Sequence, residues 1–166
     1  MRKVLVVTGF AMIVAYAAYG ALLMNNWAVV AASGISLDET IMAMSAKGQD
    51  FSSLGGWVFT SIGIALAISW LVVALSARLR VPIAAIIGSW SLIIALGAPA
   101  FFFTSFANMN SVGDTFEQWN ADAAFTLEVP LYVASLIALA LFFATGCLMI
   151  WAAITRPGRP LPSDAF

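Results

Sequence analysis

Long apolar runs separated by short polar intervals set the pattern of this chain. Residues 4–24, 57–76, 82–104 and 129–154 contain no Asp, Glu, Lys, Arg or His. As helices rising about 1.5 Å per residue, runs of this length cross a hydrocarbon core of about 30 Å. A helix on the surface of a soluble protein would show a polar stripe at helical spacing, and these runs show none. The pattern predicts an all-α integral membrane protein, a four-transmembrane-helix bundle forming one domain over residues 1–155. The outer loops fall at 25–56 and 105–128, and a Pro-rich tail, RPGRPLPSDAF, at 156–166.

Composition agrees with that reading. The chain is 63% hydrophobic and 9% charged, where a soluble domain carries about 25% charged residues. The placement of charge gives direction. Arg2 and Lys3 precede the first run, Arg78 and Arg80 lie between the second and third, and Arg156 and Arg159 follow the fourth. Lys47 is the one basic residue in the other two connections. Cytoplasmic loops carry the excess of Lys and Arg, so both termini are expected in the cytoplasm and the localisation is a multi-pass cell-membrane protein, bacterial inner membrane. The first run also has a cleavage-like Ala15-Tyr16-Ala17 after a basic start. It stays apolar past that point, which favours an uncleaved anchor. The tail is expected to be extended in the cytoplasm.

Short amphipathic surface helices are expected in both outer loops. In the first, ISLDETIMAMSAKG pairs Ser36 with Glu39 at capping-box spacing and ends on Gly48, a natural residue for a left-handed helix stop. Leu37, Ile41 and Met44 then share one face, suited either to packing on the bundle or to contact with a partner. In the second, Phe116 and Trp119 stand three residues apart among Asp114, Glu117 and Asp122, which reads as a surface helix with its aromatics in the interface. Glu128 lies two residues before Pro130, at the start of the fourth run. There it reads as an outer cap of that helix, with Thr126 as the alternative, or as a contact to a cation on a partner subunit.

The chemistry excluded is as informative. Without histidine and with Cys147 as the sole cysteine, imidazole-held haem, an intrachain disulfide and thiolate metal sites are ruled out. No metal-ligand spacing, phosphate loop or dinucleotide fingerprint is present, so no cofactor and no enzymatic activity are expected. Seven scattered basic residues make no nucleic-acid patch. Pumps usually place ionisable groups in the bilayer, whereas these runs offer hydroxyls such as Tyr16, Tyr19, Ser89, Ser135 and Thr145. The resulting expectation is a non-catalytic accessory subunit of a larger membrane complex, for example a respiratory or photosynthetic electron-transfer assembly. Its partners would be other integral membrane subunits, membrane lipids and a basic soluble protein at the acidic outer face. The alternative is a small oligomeric channel or transporter component.

Overall fold

The structure, a computed structural model, describes residues 2–76 and 81–155, and all its regular elements are helical. The RLR turn and the Pro-rich tail lie outside the described residues. The chain runs α1 (Arg2–Leu22), a π-helical turn (Leu23–Trp27), α2 (Ala28–Ser33), α3 (Leu37–Ala46), α4 (Leu54–Leu75), α5 (Ile83–Thr115) and α6 (Ala121–Thr155). Four helical stretches are long and apolar enough to cross a membrane: Arg2–Ser33, Leu54–Leu75, Ile83–Thr115 and Ala121–Thr155. We call the end that carries α2, α3 and the α5–α6 turn the loop end.

Three of the four stretches outrun their apolar segments toward the loop end. The first continues through the π turn to Ser33, where Gly34 at φ 74° stops it and donates its N–H to the Val30 carbonyl at 2.9 Å. The third runs to Thr115 and the fourth starts at Ala121, which corrects the second outer loop. There is no separate surface helix there. Phe116 and Trp119 sit in a five-residue turn, 116–120, between two long helices. Polar residues such as Asn108, Asn110 and Asp122 resemble a loop in sequence, yet helices lengthened by tertiary packing override such local preferences.

The reading of Glu128 as a cap is corrected by the same finding. Asn120 is the capping residue, its Oδ1 accepting the Ala123 N–H at 2.9 Å. Pro130 therefore lies inside α6, not in its first turn, and so does Glu128. Thr126 bonds back to the Asp122 carbonyl at 2.7 Å and caps nothing. Pro99 is likewise interior to α5.

The α3 helix forms as its sequence predicts. Ser36 and Glu39 make the reciprocal capping box, and Gly48 adopts φ 73° just past the end. Its buried face closes the loop end: Met44 and Thr40 are fully buried, and Leu37 packs against the core.

Two apolar clusters fill the bundle. The one at the loop end joins Leu23, Met24, Phe59, Phe101, Val112 and Leu131. The other, toward the opposite end, joins Val6, Ile13, Trp70, Ile86, Trp90 and Ala138. Helices α1 and α4 pack closely, as do α5 and α6, with α1–α5 and α4–α5 contacts between the pairs. Notches without a side chain admit the rings. A Cβ on Gly9 would stand 2.7 Å from the Trp70 ring and 3.1 Å from that of Trp90. Gly97 gives the same clearance to Tyr16, and Gly63 lets α4 approach Ala17 of α1.

Candidate functional site

Asn108 organises the loop end. It is 6% exposed, and its side chain exchanges hydrogen bonds with Ser52, accepting from the backbone N–H at 3.0 Å and donating to the carbonyl at 2.8 Å. The same amide donates to the Met24 carbonyl at 3.4 Å. One asparagine on α5 thus pins the α3–α4 connection and the π turn together. The π turn, where the Ala28 N–H reaches back to the Leu23 carbonyl, is a feature the sequence reading missed. Its only visible sign was Asn25-Asn26 interrupting an apolar run. Lys47 donates to the Thr115 carbonyl at 2.6 Å, and Asn120 N–H to the Ala32 carbonyl at 2.7 Å, so α2, α3 and the α5–α6 turn form one tied layer.

Hydroxyls join the helices deeper in. Ser135 donates to the Ile94 carbonyl at 2.9 Å, which leaves Tyr16 to donate to Ser135 at 2.7 Å. That chain links α1, α6 and α5. Tyr19 donates to the Leu127 carbonyl at 2.6 Å, in the turn before Pro130. The Trp70 indole donates to Ser89 at 2.9 Å, and Thr145 returns to its own helix at Leu141 and Phe142. Three buried polar atoms have no partner among the described residues: Asn25 Oδ1, Trp90 Nε1 and Ser91 Oγ. No three His, Cys, Asp or Glu residues among those described gather to hold a metal.

Beside the Tyr16–Ser135 tie the seam between α1 and α6 opens. A cavity of about 490 Å³ lies there, lined among others by Met12, Ala15, Trp90, Ala134, Ala138 and Leu141. Ala15 and Ala134 border this seam, whereas Ala67 and Ala138 are buried inside the bundle.

The residues singled out from sequence separate into two groups. Leu37, Ile41 and Met44 lie on the inward face of α3, with Met44 at 0% exposed, and Phe116 packs on the same core. Trp119 and Glu128 come together at the loop end of α5 and α6, where both line a second cavity of about 240 Å³ with Phe102, Phe106, Phe125 and Tyr132. Glu128 is half-buried, and the Tyr132 hydroxyl lies 3.5 Å from its Oε2. Lys47, the basic residue nearest in the outer loops, is engaged elsewhere at Thr115.

These features define a class: an all-helical bundle with four helices long and apolar enough to span a membrane. No family model, curated protein or solved structure matches the chain.

Proposed function

We propose that this protein is a multi-pass membrane protein with both termini in the cytoplasm, acting as a non-catalytic accessory subunit that assembles laterally with other integral membrane proteins. The observation that carries this reading is the open α1–α6 seam. Small residues at its edge, Ala15 and Ala134, let a foreign helix approach backbone to backbone. In lipid, where apolar burial between helices supplies no driving force, such close approach is a main source of association. The polar side chains across the bundle support the same reading. Tyr16, Ser135, Trp70 and Thr145 are committed to structural bonds rather than arrayed along a path through the bundle.

The loop-end layer fits a docking platform, since α3 and the 116–120 turn are held rigidly and present Asp38, Asp114, Glu117 and Asp122 outward. Such a surface suits a basic soluble partner. An electron-transfer assembly, with its soluble carriers, is the first such complex to seek.

A photo-reactive residue placed at Ala15, exposed on the seam, tests it in the native membrane. It is expected to capture a helix of a different membrane protein. Capture of lipid alone at Ala15, with no protein adduct, would contradict lateral assembly through this face.

A further inference from the structure

We propose that the groove between α5 and α6 at the loop end binds an amphiphile with an organic ammonium head. The head lies at Glu128 and the tail over the α5 phenylalanines. This goes beyond lateral assembly and does not depend on it.

The groove has two adjoining recesses. One, of about 240 Å³, holds Glu128 among Phe106, Trp119 and other aromatics. The other, of about 450 Å³, is lined by Ala98, Pro99, Phe102, Phe103, Phe125 and Tyr132. Phe102, Phe125 and Tyr132 border both, so the recesses form one continuous surface. It opens sideways: Phe103 is 77% exposed and Phe106 51%. A ligand therefore arrives from the bilayer side, and its tail has an apolar bed.

Glu128 supplies the charge. A carboxylate offers about four acceptor positions, and Tyr132 at 3.5 Å is its one hydrogen-bonding partner among the described residues. A half-buried charge against aromatic walls is costly unless a counter-charge arrives. Among the described residues none is placed there, and Lys47 is bonded to the Thr115 carbonyl. Neighbouring Asp122 and Glu117 make this end more negative still. The lining then selects the kind of cation. Calcium or magnesium needs six or more oxygen ligands, whereas this site offers one carboxylate and two hydroxyls, those of Tyr132 and Ser105, the latter bonded to the Phe102 carbonyl. Aromatic faces instead attract organic ammonium groups, most strongly when desolvated. The site matches a quaternary or primary ammonium carried on an alkyl chain.

The test uses the purified full-length protein in maltoside micelles. Dodecyltrimethylammonium binding is measured by calorimetry against dodecanol, its neutral counterpart of equal chain length. Saturable binding at least about tenfold tighter for the ammonium is expected, a difference of the size one desolvated cation–π and ion-pair contact supplies. Glu128→Gln should abolish that preference and Glu128→Asp should keep it, with helical content and elution unchanged. Equal binding of alcohol and ammonium by the native chain, or a preference that survives Glu128→Gln, overturns the proposal. Should the Gln variant misfold, the native chain still decides the matter in nanodiscs of mixed phosphatidylethanolamine and phosphatidylglycerol, read by native mass spectrometry. Selective retention of phosphatidylethanolamine assigns the ammonium to a lipid headgroup. Surfactant binding without lipid retention assigns it to a diffusible amphiphile. Neither, or a covalent link from Glu128 to a basic residue of a membrane partner with no surfactant binding, overturns it.

Discussion

Asn108 carries more of the loop end than any other single polar side chain. Its amide satisfies both backbone groups of Ser52 and one carbonyl of the π turn. Truncation takes this partner from the carbonyl of buried Met24 and releases both backbone groups of the exposed Ser52, and a buried group left unpaired costs more than the net value of its bond. Asn108→Ala is expected to destabilise the protein by about 2–3 kcal/mol in a detergent unfolding titration, with the loop between α3 and α4 becoming the first site of protease cleavage. Nothing in the sequence marked this residue: one asparagine in FANMN looks like loop. The Ser36–Glu39 box, by contrast, was legible because both partners lie three residues apart on the same short helix. Its hydrogen bonds to Ser36 hold the Glu39 carboxyl below its ordinary value of 4.5. A carboxylate depressed in the folded state adds stability that is complete above the unfolded pKa and disappears as pH falls through the folded one. The end of α3 should therefore fray below about pH 4.5, read by amide exchange at its first turn. Glu39→Gln should remove that pH dependence.

At the scale of elements, what the sequence conveyed was existence and type rather than extent. The four apolar runs marked the four long helices because apolar composition over about 20 residues is a signal that no local preference cancels. Their ends were lost because the extensions from Met24 to Ser33, from Ser105 to Thr115 and from Ala121 to Glu128 are polar enough to resemble loops, yet are held helical by packing on one another. Once α6 starts at Ala121 with Asn120 as its cap, Glu128 can no longer hold that place. It becomes a carboxylate two turns inside a helix, facing an aromatic groove. Helix pairing was partly legible from small residues, but the aromatic partners were not. The Tyr16 ring occupies the space that a Cβ at Gly97 would fill, so α1 and α5 approach there at the expense of any larger side chain. Gly97→Val is expected to displace Tyr16 and loosen its bond to Ser135, lowering stability by about 1–3 kcal/mol as overpacking does. Thermal unfolding in detergent measures it. The same substitution at Gly146, where a Cβ meets nothing within 4 Å, should be close to silent.

For the whole molecule, the described helices make two close pairs, α1 with α4 and α5 with α6, capped at one end by a tied polar layer. The far half of α6 leans on α5 while its other faces, including Leu136, Ile137, Phe143 and Ile150, stay exposed. The seam beside α1 differs, because it is recessed and bordered by alanines. Such a seam suits the proposed neighbour, and the hydroxyls of Tyr16, Ser89, Ser135 and Thr145 are spent on bonds within the bundle. The central claim is therefore one of association. Mild-detergent purification of the natively expressed protein, followed by sizing and identification of everything that comes with it, tests that claim most directly. Stoichiometric co-purification with other integral membrane proteins is expected, with no ion or solute flux in liposomes that contain this chain alone. Purification as a self-contained monomer or homo-oligomer that conducts a solute in those liposomes would contradict it.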